Sequence, residues 1–256
     1  MRSWRRRRRP RSTRKQREGQ TDSRLSLVIT SRDNATLKLV RKLEHRKHRE
    51  ETGLFACEGE DLVAAALAEG IEPAFELLVA GENILPELLA SVSELPHASR
   101  VIGVYRKEDL PRFARETTLA LWRVGDPGNV GTLVRTADAF GAGIALSDGC
   151  ADPLGSKALR ASAGAIFRVP LSDWDDAPGP RIALVAHGGV PLSEADLPDP
   201  PLTILLGSER EGLPDHPLTD WYKVTIPLPG EDAESLNVAA AGAIALYELS
   251  RRRGKG

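Results

Sequence analysis

Hydrophobic positions along this chain change period in an ordered way. From Asn34 to about Arg49, the apolar residues Leu37, Val40 and Leu43 recur at helical spacing. Lys38, Arg41, Lys42, Arg46, Lys47 and Arg49 lie between and beyond them, which predicts one amphipathic helix with a basic outer face. Next, "GLFACEG" reads as a short strand and turn, Asp61 to Glu69 as a helix, and Glu76 to Val79 as a strand. Leu85 to Ser91 is helical and Val101 to Val104 is a strand. Further on, apolar β-type runs occur at Leu119–Val124, Gly143–Leu146, Ile182–Ala186, Leu202–Leu206 and Lys223–Ile226. Helical stretches fit between and after them at Val130–Phe140, Ser156–Ala165 and Ser235–Arg251. Continuous apolar strands alternating with helices predict an α/β fold whose parallel sheet is covered on both faces. The polar stretch from Lys107 to Thr118, with Pro111 inside it, reads as a linker. The expected organisation is therefore an arm over 1–20, a small α/β domain over 21–106, a linker over 107–118 and a larger α/β domain over 119–256.

Charge changes the picture at one end. Arg2, Arg5 to Arg9, Arg11, Arg14, Lys15 and Arg17 precede the first acid, Glu18, although the 256-residue chain has a formal net charge of only −1. A basic arm thus sits on an acidic body. Arg-rich arms neutralise nucleic-acid phosphates, and they are equally stable as solvated disordered tails; the charge pattern leaves both open. The basic face of the helix beginning near Asn34 has the same two readings, an RNA-facing surface or a solvated one. No apolar run approaches the ~20 residues of a membrane span, and no apolar segment follows the basic start as a secretory signal requires. Cys57 and Cys150 form neither a disulfide framework nor a metal-ligand spacing, which points to a reducing cytoplasm. The histidines do not pair at metal spacing, so no metal is expected.

Candidate chemistry is concentrated in four segments of the second half. "DPGNVGTLVRTADAFGA", Asp126 to Ala142, follows a strand and opens a helix. Asn129 occupies a position where an N-cap is expected, and Arg135 follows within the helix. "LLGSEREGL", Leu205 to Leu213, is the carboxyl end of an apolar strand, where parallel α/β sheets bind ligands. Gly207 there permits close backbone approach, and Glu209 is a candidate partner for a basic group. "IPLPGEDAESLNVAAAGAIALYEL", Ile226 to Leu249, is a strand end, a Pro- and Gly-rich loop and an Ala-rich helix that Ser235 can cap, with Asn237 in its first turn. "KALRASAGAIFRVPL" places Lys157 and Arg160 on one helix face. Taken singly, capping, a plain turn, a solvated face and core packing explain each segment as well. The chain lacks a GxGxxG fingerprint, a phosphate loop, a GxSxG elbow and HExxH.

In this order, the segments resemble the SpoU (TrmH-like) family of the SPOUT superfamily, from Leu119 to about Arg252. Asn129 and Arg135 match its first motif, "GSEREGL" its second and "IPLPG…SLNVA" its third. The region around "GLFACEG" is similar, more loosely, to the family's ribosomal-protein-like substrate-binding domain. The resemblance implies a SPOUT domain with a deep trefoil knot, a homodimer, and transfer of methyl from S-adenosylmethionine to a ribose 2′-hydroxyl of RNA. It implies cofactor contacts at Leu206, Gly207, Ile226, Leu228 and Leu236, with the loop from Ala186 to Gly188 closing the pocket. The loop from Gly230 to Ser235 departs from the family pattern by about one residue and carries Glu231, Asp232 and Glu234.

By the same resemblance the catalytic set is Asn129, Arg135, Glu209, Ser235 and Asn237; the basic helix face and the fourth segment supply the RNA-contacting set Lys38, Arg41, Lys42, Arg46 and Arg160. The family model makes the residue at Arg135 a general base. A guanidinium is permanently charged, so its expected role is to bind the adjacent phosphate and stabilise the developing 2′-oxyanion. Asn129 would orient the ribose or Arg135, and Glu209 would hold a basic side chain. Ribosomal RNA, 23S in particular, is preferred over transfer RNA because a separate substrate domain is present. The alternatives are a transfer-RNA ribose methyltransferase, a base-methylating SPOUT enzyme and a non-catalytic RNA-binding protein of the same fold.

Overall fold

The computed structural model describes residues 28–95, 97–214, 221–229 and 235–253. The basic arm over 1–20 and the acidic residues Glu231, Asp232 and Glu234 lie outside these.

The first unit is a three-stranded antiparallel sheet of β1 (Leu54–Glu58), β2 (Leu78–Val79) and β3 (Val101–Arg106), in the order β1-β3-β2. Its helices are α1 (Ala35–Lys42), α2 (Arg46–Thr52), α3 (Glu60–Ala68) and α4 (Pro86–Ala90). Asn34 starts α1 by accepting from the N–H groups of Thr36 and Leu37 through Oδ1. Leu37, Val40 and Leu43 then bury against Ile84, Leu88, Leu89 and the Ile102/Val104 face of β3. The single helix expected over Asn34–Arg49 is in fact two, broken at Leu43 to His45. Arg49 explains the break. It is 8% exposed rather than solvated, and its Nη1 donates to the carbonyls of Leu43 (2.6 Å) and Glu44 (2.9 Å), which the break frees from helical bonding.

The second unit is a seven-stranded sheet, parallel throughout, in the order β6-β5-β4-β9-β7-β10-β8. Its strands are β4 (Thr117–Leu121), β5 (Gly143–Leu146), β6 (Leu171–Asp173), β7 (Arg181–Leu184), β8 (Val190–Pro191), β9 (Leu202–Leu206) and β10 (Tyr222–Thr225). The central β4 and β9 are buried at every position, as apolar runs flanked on both faces must be. The helices α5 (Pro127–Ala139), α6 (Ser156–Ser162) and α7 (Val238–Arg253) complete the unit. A Cβ at Gly131 of α5 would lie 2.2 Å from the Ala158 carbonyl of α6, and one at Gly242 of α7 2.5 Å from Leu133 Cδ2 of α5. These two glycines let the three helices approach closely. Elsewhere Ala120, Ala145, Ala183 and Leu205 form a separate cluster with Trp122, Trp174 and Trp221.

The two units share one continuous core. Phe55 and Tyr105 of the first sheet meet Phe167 of the second unit, the latter pair edge-on at 5.3 Å. Arg49 crosses to Asp152, and Arg168, held bidentately by Asp138, stands 3.8 Å from Glu69. Gly164, at φ +83°, has only the Ala65 methyl above it, where a Cβ would come within 2.4 Å. The stretch expected as a linker over 107–118 therefore joins two bodies already packed together, and its last two residues, Thr117 and Thr118, belong to β4 because they pair with Leu202 and Thr203.

Candidate active site

All seven strands of the larger sheet point the same way, so the loops that follow them collect at one edge. Leu206 is in register with Leu121 and Leu184, and Leu184 with Val224, which places the ends of β4, β7, β9 and β10 side by side. Three segments that are remote in sequence are joined at that edge by side-chain amides. Asn129 Nδ2 donates to Glu209 Oε1 at 2.7 Å, and Asn237 Nδ2 donates to Asn129 Oδ1 at 3.1 Å.

Chemistry dictates which way round both amides sit. Asn237 precedes α7, and its Oδ1 accepts from the N–H groups of Ala239 (2.9 Å) and Ala240 (3.3 Å). Donors at a helix start demand an oxygen, so Asn237 turns its NH2 toward Asn129. Asn129 must then offer Oδ1, which sends its own NH2 to the Glu209 carboxylate, an acceptor only. Asn237, not Ser235, therefore caps α7. Asn129 likewise is not the cap of α5. Asp126 is, accepting from Asn129 N at 2.9 Å, with Pro127 as the first helical residue.

Asp126 has a second task. Its other oxygen takes a 2.7 Å ion pair from Lys157 of α6. That hydrogen bond, then the Asn129 N–H, hold the Asp126 carboxyl below the usual carboxylate range. Next to it is an open depression of about 600 Å³ lined by Arg123, Asp126, Asn129, Ser208, Glu209 and Arg210. Arg123 adopts φ +51°, unusual for a non-glycine residue, and its N–H is held by Ser147 Oγ at 2.9 Å. Strain of this kind concentrates at functional sites. Asp126 and Arg123 are additions to the sequence-predicted set: the Asp126–Pro127 pair is a legible cap signal, whereas nothing in the sequence marks Arg123.

Gly207 is required for a reason internal to the fold. A Cβ there would sit 2.2 Å from Gly212 C and 2.4 Å from Leu213 N, in a tight loop closed by paired backbone bonds between Ser208 and Gly212. Leu206 is core, and its carbonyl accepts from Trp122 N–H, so it supports the loop from below. Gly189 similarly brings the loop containing Ala186 against Val224 and Thr225, where a Cβ would lie 2.6 Å from Val224 C. Ala186 is exposed, and its carbonyl accepts from Thr225 Oγ1 at 3.0 Å. The N–H groups of Gly207, Ile226 and Leu228 donate to no described residue, while Ile226 and Leu228 are half-buried and Leu236 is exposed. An edge with free backbone donors and apolar side chains matches what S-adenosylmethionine requires, a flat adenine and a polar tail.

The remaining candidates stand apart from the amide network. Arg135 is exposed on α5, about 9 Å along the helix from Asn129, and pairs with no described residue. Ser235 is exposed and outside the cap. Arg41, Lys42 and Arg160 are exposed, Lys38 pairs with Asp33, and Arg46 is held by Glu50 at 2.6 Å. A cavity of about 690 Å³ lies away from the network, between α2, the 110–115 segment and the β5–β6 side of the sheet. Among the described residues no helix is long and apolar enough to cross a membrane, and no three His, Cys, Asp or Glu residues cluster as metal ligands.

Comparison with known proteins bears directly on this arrangement. The chain is 33% identical to the 23S rRNA (guanosine(2553)-2′-O)-methyltransferase RlmP of Bacillus subtilis, over 86% of this chain and 98% of that one. It is 32% identical to the 23S rRNA (uridine(2479)-2′-O)-methyltransferase of Streptomyces viridochromogenes, over 88% and 92% of the two chains. The fold superposes with a TM-score of 0.76 on an AdoMet-bound rRNA methyltransferase from Sinorhizobium meliloti, at 31% identity, covering 88% of this chain and 97% of that one. Residues 34–109 match the MRM3-like substrate binding domain. Residues 116–247 match the SpoU rRNA Methylase family, and the chain belongs to that family.

Proposed function

We propose that this protein transfers a methyl group from S-adenosylmethionine to a ribose 2′-hydroxyl of 23S ribosomal RNA. The observation that carries the reading is the Glu209–Asn129–Asn237 network, which locks one amide at the edge where free backbone donors collect. When bound, S-adenosylmethionine supplies an electrophilic methyl and its own leaving group, so the residues need only position the reactants and manage one proton. Gly207, Ile226, Leu228 and Leu236 are the residues to hold it, with the Ala186 loop closing over them. Asn129 spends one N–H on Glu209 and one lone pair on Asn237, and keeps one of each for a ribose hydroxyl. Arg135, with its charge unpaired, binds the neighbouring phosphate and stabilises the 2′-oxyanion as it forms, the hydroxyl proton passing to solvent water. Ser235 contacts the substrate.

The division of labour follows the two units: 21–106 as the RNA-binding domain, 107–116 as the connection and 117–256 as the methyltransferase domain, since Thr117 and Thr118, expected in the linker, are already paired within β4. Lys38, Arg41, Lys42, Arg46 and Arg160 are the proposed phosphate contacts. Family membership supports a trefoil knot in the second unit. Ile244 and Tyr247 of α7 are 40% and 59% exposed with Ala240 on the same helix, an apolar stripe suited to a homodimer seam. The site of action is the cytoplasm. Incubation of purified protein with 23S rRNA and radiolabelled S-adenosylmethionine tests the reading. Label in an alkali-resistant dinucleotide supports it, and label on a base or none at all overturns it.

A further inference from the structure

The contacts around Asn129 do not stop at the site. Asp126 holds the Asn129 N–H with one oxygen and Lys157 Nζ with the other, so a single carboxylate ties the first turn of α5 to the first turn of α6. Gly131 and Ala158 keep those helices too close to slide, since no side chain fits between them. Upstream of Lys157, Pro153 to Ser156 connect directly to Asp152. Asp152 Oδ1 accepts from Leu154 N at 2.9 Å, which shapes the entry to α6. Its Oδ2 takes two hydrogen bonds from Arg49, at 2.8 and 2.7 Å. The third nitrogen of Arg49 is spent on the Leu43 and Glu44 carbonyls, at the break between α1 and α2 of the first unit. Arg46 adds a bond from the same helix to the Cys150 carbonyl at 3.4 Å.

We propose that Lys157 and Arg49 are positioning residues for methyl transfer, aligning Asn129 with the placement of the first unit along the path Arg49–Asp152–α6–Lys157–Asp126–Asn129. The inference rests on the methyltransferase reading above. Neither residue touches the proposed reacting atoms. Each fixes the next polar group, and each bond adds a directional tie between two elements that packing already brings together. RNA docked on the first unit is thereby presented to a residue whose backbone this path fixes, while Glu209 and Asn237 orient its side-chain amide. The Lys157–Asp126 pair is 58% and 45% exposed, and exposed pairs add little stability. Its loss therefore separates alignment from folding.

The test compares wild type with Lys157→Ala, Lys157→Arg and Arg49→Lys in single-turnover methylation of 23S rRNA. It also follows the Asn129 side-chain amide resonances by NMR, assigned with Asn129→Asp. Lys157→Ala is expected to lower the rate constant at saturation about 10-fold, because small displacements near reacting groups cost up to about 100-fold. KM for RNA, affinity for S-adenosylmethionine and Tm should remain within twofold or 2 °C of wild type, as befits an exposed pair. Lys157→Arg should recover most of the rate, and Arg49→Lys should shift the Asn129 amide signals as Lys157→Ala does. An unchanged rate and unshifted Asn129 signals in Lys157→Ala overturn the proposal. A rate loss matched by a fall in Tm overturns it too. An inactive wild type sinks the methyltransferase reading instead, and the NMR shifts still decide whether the path exists.

Discussion

Asn237 donates its side-chain amide to Oδ1 of Asn129 across 108 positions of sequence, while its own Oδ1 closes the first turn of α7. One side chain thus starts a helix and orients the residue proposed to meet the ribose. The two tasks separate by substitution. Asn237→Asp keeps the capping oxygen and sets a second oxygen against Asn129. Stability should stay within about 0.5 kcal/mol of wild type, since Asp and Asn cap equally well. Methyl transfer should fall about 10- to 100-fold as Asn129 loses its orientation. Asn237→Ala should lose both, with about 1 kcal/mol of stability gone. Chemical denaturation alongside steady-state methylation checks the pair.

Gly207 makes a sharper claim on the backbone. In Gly207→Ala the new methyl meets Gly212 and Leu213 main-chain atoms, which cannot rotate away. Overpacking of this kind costs about 1–3 kcal/mol. The displaced loop should also weaken S-adenosylmethionine binding, read by calorimetry, with RNA affinity unchanged.

Arg49→Met should be the most destabilising single change. It leaves Asp152, only 17% exposed, without its partner and frees two carbonyls, and breaking a buried pair costs about 3–5 kcal/mol. Adding Asp152→Asn removes the stranded charge and should recover a substantial part of that loss. Urea unfolding of the single and double variants measures the difference.

At low pH the end of α7 should loosen early. Arg251 first, then Arg252, hold the Glu248 carboxyl at about 2, below its ordinary 4.5. A depressed acid contributes stability that is complete above the unfolded value and is lost as pH falls through the folded one. The contribution should therefore fade between about pH 4.5 and 2. Arg252 also donates to the carbonyls of Ala195 and Leu192, so the loosening should show in hydrogen exchange of α7 and of that segment together. In Glu248→Gln this acid dependence should vanish.

Legibility from sequence followed burial. β5 and β9 have the bounds that their apolar runs predict, because strands covered on both faces are written in nearly continuous apolar letters, with Thr203 the one polar position. β6 and β8 carry no such signal: they are edge strands, Leu171–Asp173 and Val190–Pro191, too short to form an apolar run. The break between α1 and α2 was hidden because its cause, Arg49 turning inward to Asp152, is a tertiary contact. The shift of capping from Asn129 to Asp126 was readable in principle from Asp-Pro. The meeting of Asn129 with Glu209 and Asn237 was not, since no local pattern reports contacts 80 and 108 positions apart. Only the order of the motifs hinted at it.

The central claim is that the amide network and Arg135 together serve ribose methylation. It is measured most directly as transfer of labelled methyl to 23S rRNA by wild type, Asn129→Ala, Arg135→Ala and Arg135→Lys across about pH 6 to 9. Wild type should give an alkali-resistant 2′-O-methyl product, and Asn129→Ala and Arg135→Ala should each lose about 100-fold or more. Arg135→Lys should show partial recovery, with a pH profile parallel to wild type. Undiminished turnover by Arg135→Ala, or methyl recovered on a base, would contradict the claim.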